Sequence, residues 1–269
     1  MNSIDRGNGP SLVLVPGLQG RWEYVAPAVD ALAVHFRVLT FALCDEPSAD
    51  FPCDPDRGLD AYADQIGAVL DQAQESRAAI CGISFGGLIA THFAARQPSR
   101  TSALILVSTP PSGMGLKRRH QIYVRAPWIL GPLLLLEAPW RLGPELCRAI
   151  ADPAARRRFS LSALTTLMRA PVSLSRMAAR TRLLTRVDLR GDCERITAPT
   201  LVVTGEPSLD DVVPAEGSSE YARLIPGART AVIEDSGHLG SVTRPHAFAA
   251  LVKDFLAHAA GLRWPDAAA

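Results

Sequence analysis

Ser84 stands in Gly82-Ile83-Ser84-Phe85-Gly86, a Gly-x-Ser-x-Gly spacing. A short apolar run leads into it, and helical spacing follows at once through Leu88, Ile89, His92 and Phe93. A serine between a strand and a helix in this pattern sits on a nucleophile elbow. The turn is so sharp that the serine takes a strained backbone conformation. The positions two before and two after it must lack side chains, or strand and helix could not approach. The hydroxyl is then presented above a sheet edge, at the positive end of a helix. An alcohol is a weak nucleophile at neutral pH and needs a hydrogen-bonded base to take its proton. The remainder of the chain has to provide that base, a carboxylate to orient it, and N–H donors for the developing oxyanion.

A base belongs late in the chain, in a loop after a strand. Ile233-Glu234-Asp235-Ser236-Gly237-His238-Leu239 meets that requirement. His238 follows the last strand-like run and precedes the last helical one, so it can hang over the sheet edge near Ser84. The other histidines, His35, His92, His120, His246 and His258, read as ordinary residues of the scaffold. The carboxylate should follow the penultimate strand, in Gly205-Glu206-Pro207-Ser208-Leu209-Asp210-Asp211-Val212-Val213-Pro214. Asp210 and Asp211 are adjacent candidates there, and Glu206 is a third. Either aspartate would fix the imidazole tautomer and stabilise the imidazolium that forms. Two backbone N–H groups must point at the developing negative charge. Phe85, heading the helix after the nucleophile, offers one. The loop Pro16-Gly17-Leu18 after the first strand offers the other at Leu18, since Pro16 has no N–H.

These residues need a frame. Ser11 to Val15, Arg37 to Leu43, the run before Ser84, Ala103 to Val107, Thr200 to Thr204 and Thr230 to Ile233 read as strands. Helical spacing separates them, at Trp22–Val34, Leu59–Ala73, Leu88–Arg96, Ala215–Leu224 and His246–Ala259. Alternation of this kind predicts an α/β fold: a mainly parallel sheet of about six strands with helices on both faces. From about Pro110 to Ile196 the strand-like runs vanish and Pro-broken helical patterns take over. This stretch reads as a helical cap, 111–196, inserted into a core made of 1–110 and 197–269. Between Ser112 and Arg195 sixteen Lys and Arg face six Asp and Glu, a balance of +10, which leaves the rest of the chain at −9. The insertion would sit over the C-terminal ends of the strands, where open α/β sheets bind ligands. Its apolar residues, Trp128 among them, together with Trp22 of the core, are candidates to wall a substrate pocket.

The motifs together, Pro-Gly after strand one, Gly-Ile-Ser-Phe-Gly-Gly, Asp-x-x-Val-Pro and Ser-Gly-His, resemble the α/β-hydrolase superfamily in the order Ser…Asp…His. The likeness covers nearly the whole chain outside the insertion and is nearest to small bacterial esterases, enol-lactonases and meta-cleavage product hydrolases with helical caps. In that group the acid lies four residues before the proline after the penultimate strand, which maps to Asp210. Members usually carry His-Gly where this chain has Pro16-Gly17. The resemblance implies a cofactor-independent serine hydrolase of carboxylic esters acting through an acyl enzyme. Enol-lactone opening or C–C bond hydrolysis by the same residues, and a non-catalytic ligand receptor on the same fold, are the alternatives. Related dehalogenases and epoxide hydrolases carry Asp where this chain has Ser84. Only about ten residues precede the first core strand, so the family's two leading antiparallel strands are expected to be missing. Arg37–Leu43 would then be a bare sheet edge, open to pairing with a second copy.

The bulk composition narrows the rest. A net charge of +1 gives no reason to expect nucleic acid as a partner. Five cysteines without a Cys-x-x-Cys spacing suggest reduced thiols and a cytoplasmic protein, with Cys44–Cys53 the one bridge to consider. No metal-ligand spacing occurs. Met1 to Arg6 has no apolar stretch of the signal-peptide kind, and the most apolar window, 128–136, is too short to span a bilayer. The expected partner is a small-molecule ester, and the protein a monomer or homodimer.

Overall fold

The structure, a computed structural model, describes residues 1–116, 118–213 and 215–259. The chain runs β1 (Ser3–Arg6), β2 (Ser11–Val15), α1 (Ala26–Leu32), β3 (Arg37–Phe41), α2 (Leu59–Gln72), β4 (Ala78–Ile83), α3 (Phe85–Arg96) and β5 (Thr101–Val107). Five helices follow: α4 (Arg118–Arg125), α5 (Pro127–Ala149), α6 (Pro153–Arg169), α7 (Leu174–Leu184) and α8 (Arg190–Arg195). The alternation then resumes with β6 (Thr200–Gly205), α9 (Ala215–Leu224), β7 (Arg229–Ile233), α10 (Gly240–Thr243) and α11 (Pro245–Ala259).

The strands form one sheet in the order β1-β3-β2-β4-β5-β6-β7, with β1 antiparallel to β3 and every other pair parallel. Continuous apolar runs explain this. β4 is buried at every position, because both faces of a parallel sheet are covered by helices. One face packs Val13, Ile80 and Leu104 against α2 and α3 through Ile66, Leu70 and Phe93. The other packs Leu12, Leu14 and Ile105 against α1 and α11 through Val29, Leu32, Phe248 and Val252. Strand order reverses between β2 and β4, so the loops after them diverge and leave a crevice. Leu18 follows one strand and Ser84 the other.

Two expectations are corrected. The sheet has seven strands, and β3 is not its edge. Ser3-Ile4-Asp5-Arg6 pairs antiparallel along β3, with Asp5 opposite Leu39. Arg37 fastens it by donating to Asp5 Oδ2 at 2.7 Å and to Glu75 Oε1 at 2.8 Å. The premise for strand pairing between copies through Arg37–Leu43 is thereby removed. The edge on this side of the sheet, β1, is four residues long and ends in exposed Asp5 and Arg6, features that discourage edge-to-edge association.

The five helices between β5 and β6 are tied back to the loops at the C-terminal end of the sheet. The Tyr24 hydroxyl donates to the Ala170 carbonyl at the end of α6. Arg180 of α7, whose side chain is 0% exposed, donates to both carboxylate oxygens of Asp45, to Glu46 Oε1 and to the Leu18 carbonyl. Asp45 and Glu46 together hold that guanidinium charged against the cost of burying it. His92 on α3 bridges α2 and α8, with its ring nitrogens 2.8 Å from Asp60 Oδ1 and 2.6 Å from Asp192 Oδ2. All five cysteines are free thiols, and the Cys44 and Cys53 sulfurs lie 2.8 Å apart. Among the described residues, no helix is long and apolar enough to cross a membrane.

Candidate active site

Ser84 has φ 53° and ψ −120°, a conformation few non-glycine residues adopt. The turn around it is as tight as the sequence demands. A Cβ on Gly82 would collide with the Gly86 carbonyl, and one on Gly86 with the Val15 carbonyl. Neither obstacle is a side chain that could rotate away. Ser84 N–H donates to the Val107 carbonyl at 2.8 Å, and Gly87 N–H to the Ser84 carbonyl at 2.8 Å. The hydroxyl is therefore held on a rigid elbow between β4 and α3.

His238 comes from the loop joining β7 to α10. Its Nε2 is 3.2 Å from Ser84 Oγ, and its Nδ1 is 3.4 Å from Asp210 Oδ2. The Nδ1 contact is an ion-pair approach rather than a hydrogen bond, and that buried nitrogen has no hydrogen-bond partner among the described residues. The two side chains are 11% and 7% exposed, so their interaction is poorly screened by water. Asp210 Oδ1 accepts the N–H groups of Val212 at 2.9 Å and Val213 at 2.8 Å, which leaves Oδ2 for the imidazole. Burial alone would raise the Asp210 carboxyl; His238 and the two amides outweigh it and hold the group below the ordinary carboxylate range.

The other two acids are placed elsewhere. Asp211 is exposed. Glu206 Oε1 accepts the Asp235 N–H at 2.7 Å, bracing the loop that bears His238. Of the three carboxylates considered from the sequence, Asp210 is the one brought to the imidazole.

Phe85 N–H is the first of α3, and helix geometry gives the leading amides no intrahelical acceptor. Gly17 lies against the elbow, its Cβ position 3.5 Å from Ser84 Cβ, so the Pro16-Gly17-Leu18 loop borders the hydroxyl. The Leu18 carbonyl takes a hydrogen bond from Arg180 Nη1 at 2.9 Å. The two tryptophans are placed differently. Trp22 is half-buried with the Arg6 guanidinium 5.5 Å over its ring, and Trp128 on α5 is 75% exposed.

Two buried ionic residues escape a reading by motif. Arg180 braces the Leu18 loop from α7. Glu145 on α5, 2% exposed, accepts the N–H groups of Gly237 at 2.9 Å and Leu239 at 2.7 Å, one on each side of His238. Neither sits at a spacing that points to its partner. The faint signal for Arg180 is the Asp45-Glu46 doublet, and for Glu145 its rarity as an acid inside a basic, apolar stretch.

A family model described as the alpha/beta hydrolase fold matches residues 10–245. A pimeloyl-[acyl-carrier protein] methyl ester esterase from Aeromonas salmonicida is 29% identical over 262 residues, covering 94% of this chain and 98% of the relative. A protein of the same name from Vibrio parahaemolyticus is 28% identical over 250 residues, covering 93% and 95%. The crystal structure of the enol-lactonase from Burkholderia xenovorans LB400 superposes with a TM-score of 0.76 at 25% identity, covering 95% of both chains.

Proposed function

Because the chain belongs to the α/β-hydrolase fold family, we propose that it is a carboxylic ester hydrolase with Ser84 as nucleophile, His238 as base and Asp210 as the orienting acid. The observation that carries this reading is the His238 ring, 3.2 Å from the Ser84 hydroxyl on one side and facing a buried carboxylate on the other. Names of relatives support the ester class.

The steps follow from the geometry. His238 Nε2 takes the hydroxyl proton as Ser84 Oγ attacks the ester carbonyl carbon. The carbonyl oxygen becomes an oxyanion and receives hydrogen bonds from the Phe85 and Leu18 N–H groups, each such donor worth about 3 kcal/mol at the transition state. Collapse expels the alcohol, which leaves with the proton held on Nε2. Water then gives a proton to Nε2 and attacks the acyl enzyme, releasing the acid and restoring Ser84. No cofactor enters these steps. The same sequence opens a lactone, the bond named for the enol-lactonase neighbour. Residues 111–196 act as the cap that walls the pocket, and the free thiols fit a reducing, cytoplasmic setting.

Asp210→Asn and Asp211→Asn separate the two adjacent acids. With short-chain p-nitrophenyl esters, Asp210→Asn is expected to lose roughly 10³–10⁴-fold in kcat through the wrong imidazole tautomer, and Asp211→Asn to stay near wild type. Equal losses in the two variants would remove Asp210 from its role. The Asp210 carboxyl is lowered on folding, so its contribution to stability is present above the unfolded-state value and lost as pH falls through the folded one. Acid unfolding of Asp210→Asn should lack that component. No hydrolysis by the wild-type protein across acyl lengths would favour a ligand receptor instead.

The substrate is read as anionic. The inserted stretch between Ser112 and Arg195 joins sixteen Lys and Arg, against six Asp and Glu, to apolar residues such as Trp128 and Leu142. An acyl chain ending in a carboxylate, or borne on an acidic carrier, suits that pairing. Anionic esters should therefore be turned over faster than neutral ones of equal size, by about tenfold at low salt, with the difference shrinking as salt rises. Equal rates would discard the idea.

A further inference from the structure

We propose that Glu145 is a positioning residue that latches the His238 loop to the last turns of α5, so that the placement of the inserted helix sets the placement of the base. This rests on the reading of His238 as that base. One carboxylate oxygen accepts the amides of both residues flanking His238, Gly237 at 2.9 Å and Leu239 at 2.7 Å. Charge-assisted bonds of this kind are about twice as strong as neutral ones. Glu145 is 2% exposed, so water does not compete for them. A second hold lies three residues on: Arg148 Nε is 2.7 Å from Asp235 Oδ1, in the same loop. Being largely exposed, that pair adds little energy but aligns the two elements. Asp235 has φ 55°, so the loop enters this segment through a residue in the left-handed region and depends on its neighbours to stay there.

The charge matters beyond the hydrogen bonds. The charged groups that act on the Glu145 carboxylate are His238 and Asp210 on the facing loops; Arg148 and Arg244 are engaged with Asp235, and Arg141 with the Asp211 carbonyl. The Glu145 carboxylate attracts the imidazolium formed when Ser84 gives up its proton. Burial pushes the Glu145 carboxyl up, against the pull of the two amides and His238. A carboxyl raised on folding stabilises fully below its unfolded-state value and loses that contribution as pH rises through its folded value. Once ionised, the latch therefore holds the loop at some cost to stability.

Glu145→Ala and Glu145→Gln test this by two independent readouts, amide hydrogen exchange at Gly237 and Leu239 and the pH profile of p-nitrophenyl ester hydrolysis. In Glu145→Ala, exchange at both amides should quicken at least tenfold and kcat should fall about 10- to 100-fold at little-changed KM. Glu145→Gln keeps an acceptor oxygen, so exchange protection and most of kcat should return. Its acid limb of kcat/KM should nevertheless move to lower pH, because the imidazolium has lost a neighbouring negative charge. Unchanged exchange in Glu145→Ala, or an acid limb in Glu145→Gln that coincides with wild type, overturns the proposal. If Glu145→Ala does not fold, Glu145→Gln decides it alone. Hydrolysis surviving in Ser84→Ala would instead defeat the reading of the base and nucleophile, and the exchange data would still judge the latch.

Discussion

Replacing Ser84 by alanine should lower kcat on p-nitrophenyl esters by about 10⁴- to 10⁶-fold, leaving only what the oxyanion donors and binding supply. In the proposed mechanism the hydroxyl is the atom that bonds to the substrate, and His238 Nε2 lies 3.2 Å from it. Thermal unfolding should change little in Ser84→Ala, since a methyl group keeps the strained backbone and the fold does not need the oxygen. Ser84→Gly makes a sharper statement. It is equally inactive, but glycine tolerates φ 53° and ψ −120° without penalty. Relief of strain of about 1–3 kcal/mol, less the entropy cost of glycine, should raise its Tm above that of Ser84→Ala. A glycine variant that melts below the alanine one would show that the elbow stores less strain than glycine costs in chain entropy. Activity remaining in either variant would identify a different nucleophile.

Arg180→Met should be the most damaging substitution to stability outside the elbow. It would strand Asp45 and Glu46, whose side chains are 18% and 3% exposed, without the cation that both face. Removing one partner of a buried ionic group typically costs about 3–5 kcal/mol, which for a chain of this size lowers Tm by roughly 6–20 °C. The triple variant Asp45→Asn, Glu46→Gln, Arg180→Met should recover part of the loss, since the cluster no longer buries a charge and only the partly exposed Arg176 loses its partner Glu46. Arg180→Lys should be intermediate, because an ammonium cannot serve both carboxylates and the Leu18 carbonyl with a planar fork. The same variants should also lower kcat, since the Leu18 loop loses its anchor. A melting temperature for Arg180→Met within two or three degrees of wild type, by differential scanning calorimetry, would contradict this account.

The parts of this molecule that could be read from sequence are those where chemistry or sterics leaves one residue type. The glycines at 82 and 86 mark the elbow because backbone fills the space a side chain would need. The proximity of His238 to Ser84 is legible because the loop after the final strand overhangs the elbow, and the ring lies 3.2 Å from Ser84 Oγ. Of the carboxylates at 206, 210 and 211, position alone left a choice; the loop folds so that Asp210, which accepts the Val212 and Val213 N–H groups, is the one that faces the imidazole. β1 was missed because Ser3-Ile4-Asp5-Arg6 is polar and largely solvent-facing, so it lacks the apolar run that identifies β2 or β5. Its pairing comes from Arg37, one strand away, which grips Asp5. Glu145 and Arg180 lie further beyond reach. Each meets partners about ninety or more residues away, and no local pattern encodes contacts of that range.

The burial of Arg180 against Asp45, Glu46 and Leu18 has a consequence for engineering. A chimera that borrows the helices between β5 and β6 from another hydrolase would inherit a mismatch of charge on the recipient's side as well as a new pocket. Recombination at those two junctions will yield working hybrids only when the donor brings its own cation at this place, or when the acidic pair of the host is neutralised along with the transplant.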